Sequence, residues 1–208
     1  MSIRHHLDDA TLMSYAAGSL PNALAAVVAT HAAMCRRCRE ELAHHERIGA
    51  AMFEKLPPAT LTAPVPEFPT IDGTPPETGV RTGGSVPAPL ARLVGDRLDA
   101  IRWRPLAMGV WHRRLSPGGG GDLRLIKVGP GYGLPAHGHN GAELTLVLRG
   151  SYQDSLGTFQ PGDVADLDEE VEHRPVADAS GCICLVACER PARFNGLLAR
   201  LLAPWHGL

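Results

Sequence analysis

Apolar residues in the first quarter of the chain recur at helical spacing. Thr11, Leu12, Tyr15 and Ala16 follow Asp8 and Asp9, either of which can cap the helix they predict, and Gly18 ends it. Ser19 and Pro21 open a second helix, in which Leu24, Val27, Val28, His31, Cys35 and Cys38 mostly keep the interval. A third runs from Cys38 to about Lys55. Between residues 57 and 89 both the helical and the strand period vanish. Nine of the eighteen prolines fall there, interspersed with Gly73, Gly79, Gly83 and Gly84, which predicts a semi-extended spacer. Leu90, Leu93, Val94, Leu98 and Ile101 return to helical spacing and predict a short helix. Beyond it, segments 123–128, 143–148 and 182–188 are β-branched or alternating and are separated by Gly-rich and Pro-Gly turns. The pattern predicts an α+β chain: a small all-α domain over residues 1–56, a Pro-rich linker over 57–89 and an all-β domain over 90–208.

Composition narrows the function. A chain of 208 residues with 44% hydrophobic content can bury a core or two. Its net charge of -2 excludes a protein that coats a polyanion, and the helical half balances six basic residues with six acidic ones. No apolar run reaches the roughly 18 residues a membrane span needs, and Met1-Ser-Ile-Arg-His-His6 leads into Asp8 and Asp9 rather than an apolar segment. The expected address is the cytoplasm. There, five cysteines in two clusters read as metal or redox sites before disulfides.

The first cluster is His31, Cys35 and Cys38. At about 100° per residue, Cys35 lies about 40° from His31 and Cys38 about 20° to the other side, so one straight helix would carry all three on a narrow stripe. Two thiolates and an imidazole suit Zn²⁺, which takes four such donors when structural. His5 or His6 can supply the fourth from the N-terminal arm. Arg36, Arg37 and Arg39 would lower a thiol pKa and suit a redox dithiol, but no βαβ pattern surrounds the pair. His44 and His45 read as solvated.

The second cluster lies in Gly131-Tyr-Gly-Leu-Pro-Ala-His137-Gly-His139-Asn-Gly-Ala-Glu143. On an unbulged strand His137, His139 and Glu143 share one face, and their donor set suits Zn, Fe, Mn or Ni. His173 follows the turn-rich stretch 157–163, which would reverse the chain and bring it alongside as the fourth ligand. Cys182 and Cys184 point the same way on a predicted strand, with Cys188 in phase. They read as small buried hydrophobes, or as thiols that an oxidant could modify.

The spacing Gly131-x5-His137-x-His139-x3-Glu143-x6-Gly150 is similar to the first cupin motif, and the stretch from Pro161-Gly162 to His173 resembles the second, without its trailing Asn. Joined to His-x3-Cys-x2-Cys, the whole chain resembles the ChrR-type zinc-binding anti-sigma factors. Ile3-Arg-His-His6, Tyr15-Ala-Ala-Gly18, Val27-Val-Ala-Thr-His31, Glu143-Leu-Thr-Leu-Val-Leu148 and Cys182-Ile-Cys184 support it. The resemblance implies a cupin barrel and a metal on His137, His139, Glu143 and His173. It also implies zinc on His6, His31, Cys35 and Cys38, and no catalysis. It implies an extracytoplasmic-function sigma factor as partner, released on singlet oxygen or organic peroxide, with no direct contact to nucleic acid or membrane. Zinc would lock the helices so that Leu24, Val27 and Val28 present an apolar face to that partner. Relatives carry a fourth amphipathic helix before the cupin. Either residues 90–101 substitute for it, or the grip on the partner is altered. A metal-dependent cupin dioxygenase or isomerase with a helical appendage is the alternative, favoured by an open metal position in a polar pocket.

Overall fold

A computed structural model of the chain describes residues 2–59 and 86–190, together with the backbone of 193–194. The spacer expected over 57–89 falls mostly outside them. Asp8 caps α1 (Asp9–Ala16), its carboxylate accepting the Thr11 N–H at 2.7 Å. The next helix, α2 (Asn22–Met34), stops one residue short of Cys35, and α3 (Arg36–Phe53) begins one residue after it. Cys35 itself is extended, at φ −106° and ψ 112°. The single helix expected through Cys38 is therefore broken, and for a geometric reason. On a straight helix, seven residues at 1.5 Å rise would set Cys38 about 10 Å along the axis from His31, too far for one ion. The corner at Cys35 folds that distance away.

The short helix expected over 90–101 is shorter and begins earlier: α4 (Ala88–Val94) ends at Gly95, and a separate 3₁₀ turn (Leu98–Ala100) follows, the two burying Leu90 and Leu98. The strands follow: β1 (Arg104–Ala107), β2 (Val110–Leu115), β3 (Asp122–Val128), β4 (His137–Gly138), β5 (Glu143–Asp154), β6 (Gly157–Phe159), β7 (Val164–Leu167), β8 (Val176–Cys188) and β9 (Arg193–Phe194). Seven of them make one antiparallel sheet in the order β1-β2-β3-β8-β5-β6, with β7 also on β5, while β4 pairs with β9. Strand β5 shifts register against β8 at Val147/Arg149 and Gly150/Tyr152. These bulges change its phase, so that Tyr152 faces the same interior as Glu143 and Thr145.

Helix α2 packs on the sheet. Leu24, Val27 and Val28 are at most 2% exposed and share one core with Leu123, Leu144, Leu146 and Leu185 of the strands. The expectation that these three side chains present a face to a partner is thus corrected: the barrel covers them. Their helix is apolar on nearly every side, as a buried helix must be. It has no side-chain cap. Its first amides instead reach out of the helical half, Asn22 N–H to the Gly119 carbonyl at 3.4 Å and Ala23 N–H to Gly120 at 3.3 Å. Gly118, Gly119, Gly120 and Gly121, between β2 and β3, all have positive φ, a run only glycine adopts without strain. A β-carbon on Gly121 would meet that of Ala23 at 2.7 Å.

Two candidate metal centres

The first centre gathers parts that are far apart in sequence. His31 comes from the last turn of α2, Cys35 from the corner, Cys38 from the first turn of α3 and His6 from the arm before α1. Nε2 of His31 lies 3.2 Å from Sγ of Cys38, and Nδ1 of His6 lies 3.3 Å from Sγ of Cys35 and 3.7 Å from Sγ of Cys38. One donor atom from each of the four residues lies within 4.8 Å of the others. Donors bound to one tetrahedral ion at about 2.0–2.3 Å sit roughly 3.3–3.8 Å apart, so the spacing fits a metal. His6, not His5, reaches this group; the His5 ring lies against Phe159, tilted by 30° with ring centroids 4.2 Å apart. Burial sets the protonation. It lowers the His31 pKa to about 4, keeping the imidazole neutral, and raises the Cys38 thiol to about 11. His31 Nδ1 lies 3.0 Å from the Gly162 carbonyl; donating its proton there leaves Nε2 free to act as a ligand.

The second centre is built on the sheet. His137 is on β4, Glu143 opens β5, and a loop carries His139 between them, so the single flat strand expected for the three is corrected to two strands and a loop. His173 forms an antiparallel bridge with His137, each amide donating to the other's carbonyl at 3.1 Å. All four side chains are buried. His137 Nδ1 is 2.8 Å from the Pro135 carbonyl and His173 Nδ1 is 3.0 Å from Asp154 Oδ2. Both rings thereby hold their protons outward, and their Nε2 lone pairs face each other at 3.2 Å. Such a meeting repels unless a cation lies between. His139 points the same way: Nδ1 is 3.1 Å from Glu143 Oε2 but off hydrogen-bond geometry, and neither ring nitrogen has a hydrogen-bond partner although the residue is 2% exposed. For Glu143, burial works to raise the pKa, but His139, His137 and His173 outweigh it and hold the carboxyl at about 2. Thr145 Oγ1 and Cys188 Sγ donate to its two oxygens at 3.1 and 3.2 Å.

Beside this set lies a cavity of about 100 Å³ onto which His137 and Glu143 open; aliphatic side chains such as Leu106, Ile126 and Val186 line it together with the polar Asp122, Arg124, Thr145 and Tyr152. Cys182, Cys184 and Cys188 all face it, as their spacing predicted, with the first two sulfurs 3.3 Å apart. Of the two histidines expected to be solvated, His44 is exposed but His45 is half-buried, with Nε2 3.0 Å from Asp9. Asp154 and the Gly162 carbonyl, which orient ligand rings in the two centres, went unnoticed in the sequence. The bulges that bring Asp154 to His173 leave no mark in the pattern of apolar residues, and a backbone carbonyl leaves none at all. Among the described residues, no helix is long and apolar enough to cross a membrane.

Comparison with known proteins agrees with this two-part architecture. Residues 93–191 match the ChrR cupin-like domain family. The chain is 41% identical to the anti-sigma-E factor ChrR of Cereibacter sphaeroides, across 99% of each protein. It is also similar to the crystal structure of Rhodobacter sphaeroides SigE in complex with the anti-sigma ChrR, at TM-score 0.76 and 39% identity over 90% of this chain and 99% of that one. A putative acetylacetone dioxygenase from Methylibium petroleiphilum is similar over 48% of this chain and 78% of that one, at 17% identity and TM-score 0.42. With a helical half and a barrel that each assemble a buried donor set fit for a metal, and a likeness running from end to end, the chain belongs to the ChrR family of anti-sigma factors.

Proposed function

We propose that this chain is a cytoplasmic anti-sigma factor. It binds an extracytoplasmic-function sigma factor through its helical half and releases it when singlet oxygen or an organic peroxide acts at the barrel. The observation that carries the reading is the identity to an anti-sigma factor across the full length, with His6, His31, Cys35 and Cys38 brought together. In this reading those four residues hold Zn²⁺, and His137, His139, Glu143 and His173 hold a second divalent ion, zinc or another. Bound there, zinc would tie the arm, the corner and the two helices together through these four side chains. The chain's own residues do the rest. His6 pins the arm against Cys35 and Cys38, and the buried His31 stays neutral and available as a donor. The division into residues 1–56, 57–89 and 90–208 is then one of function: capture, connection and sensing.

Because Leu24, Val27 and Val28 lie under the barrel, the capture surface must be elsewhere. Ile48, Met52, Phe53 and Leu56 are 46%, 66%, 76% and 62% exposed at the end of α3, an apolar patch of the kind that marks a protein contact. We assign them to the partner. The enzyme alternative has little support, since the likeness that spans the whole chain is to an anti-sigma factor, although Asp122, Arg124, Thr145 and Tyr152 do line the cavity beside the second centre.

Co-purification from the native cell tests this, combined with metal analysis. The wild-type chain should retain a sigma factor and two metal ions. Cys38→Ser should retain one metal and no sigma factor. A Cys38→Ser protein that holds its partner as the wild type does would refute the reading.

A further inference from the structure

The first centre has a wall that comes from the other half of the molecule. Between β6 and β7 the chain turns at Pro161, Gly162 and Asp163, and this turn lies against the N-terminal arm. Asp163 is 1% exposed. Its Oδ1 accepts the Arg4 N–H at 2.6 Å and the His5 N–H at 3.1 Å, while Oδ2 accepts the Gln160 N–H of its own turn at 2.9 Å. Val164 N–H returns a bond to the His5 carbonyl at 3.3 Å. His6, the next residue, is thereby fixed at its backbone. On the same turn, the Gly162 carbonyl takes the His31 ring at 3.0 Å. Gly162 has φ +93°, and a β-carbon there would meet Ile3 at 2.8 Å, so the arm and turn are closely fitted. The turn is itself rigid: Gly162 N–H donates to the Val147 carbonyl at 2.9 Å, and Val147 N–H to that of Asp163 at 3.0 Å.

Two of the four donors in the helical centre are thus oriented by a barrel turn that contributes no donor atom. We infer that Asp163 is a positioning residue for that centre, and that metal affinity in the helical half depends on the barrel through it. The inference rests on the reading of His6, His31, Cys35 and Cys38 as metal ligands. A buried carboxylate accepting two successive amides of the arm does for the arm what an outer hydrogen bond does for a ligand ring. It removes the entropy of placing His6, and its loss costs roughly 10- to 100-fold in metal affinity.

Titration of the full chain with Co²⁺ separates the centres, because only thiolate ligands give an intense near-ultraviolet sulfur-to-cobalt absorption. Wild type should show that band; its absence would overturn the ligand reading itself. Asp163→Ala should keep the band shape but shift the titration midpoint upward by roughly 10- to 100-fold. Asp163→Asn, which keeps one acceptor oxygen, should recover part of the loss. Arg4→Pro removes the shortest bond from the arm's side and leaves the barrel sequence untouched; it should weaken binding about tenfold. Asp154→Ala, which unseats His173 in the barrel centre, should leave the thiolate band where it was. If Asp163→Ala binds cobalt at the thiolate centre as tightly as wild type, the inference fails. If that variant does not fold, Arg4→Pro decides alone, and wild-type affinity there would overturn it.

Discussion

The two centres differ in what holds them. The barrel set rests on paired strands: His137 and His173 bridge each other through their backbones, Glu143 opens the longest inner strand pairing, and the outer partners Pro135 and Asp154 belong to the same sheet or its loops. The helical set rests on an arm, a corner and two helix ends, and its outer partners belong to the other half of the chain. The barrel set is held by strand pairing within its own half, whereas the helical set draws part of its support from the turn that carries Gly162 and Asp163.

Whether the two centres really are held differently can be measured. The largest effect should follow exhaustive chelation of the full chain. Structural zinc contributes on the order of 10 kcal/mol, so hydrogen exchange should accelerate through the arm, α1 and the first turn of α3, while β3, β5 and β8 stay protected. Equal loss in both halves would erase the distinction. Next in size is the contrast between two apolar sites. Leu24→Ala opens a cavity in the shared core and should cost about 2–5 kcal/mol in urea unfolding. Phe53→Ala, at an exposed position, should change stability by about 0.5 kcal/mol or less yet weaken capture of the sigma factor. A third effect is a pH dependence of the metal-free chain. His31 titrates near 4 when folded and near 6.5 when unfolded, so the unfolded state binds the extra proton. Stability is full above pH 6.5 and falls as the pH drops toward 4; burial shifts His6 and His137 the same way. Glu143, held at about 2 against an ordinary 4.5, adds a second loss only below about pH 4.5. The urea midpoint should drop between pH 7 and 5, and less so in His31→Gln.

Much of this was legible in the sequence, for physical reasons that can be named. α1 announced itself by Asp8 and Gly18, and β3, β5 and β8 by their β-branched or alternating runs. All eight candidate ligands are brought together in the expected two sets. Strands β1, β2, β6 and β7 were missed because they are short, and β1 and β2 carry exposed or half-exposed residues among few buried ones. The corner at Cys35 was hidden because helical spacing fits on both sides of it. The fate of Leu24, Val27 and Val28 was readable after all: Asn22–Met34 holds no charged side chain apart from what His31 can carry, and a helix that apolar has no face to give to water.

The four successive glycines before β3 have a practical bearing. Since the carbonyls of two of them, Gly119 and Gly120, finish the amino end of α2, a helical segment cut away from the barrel would begin that helix with open amides and a bare aliphatic flank. To stand by itself it would want a serine or aspartate in place of Pro21 and polar side chains in place of Leu24 and Val28. Without such changes, insolubility of the excised piece would report the missing neighbour rather than a failure of its metal chemistry.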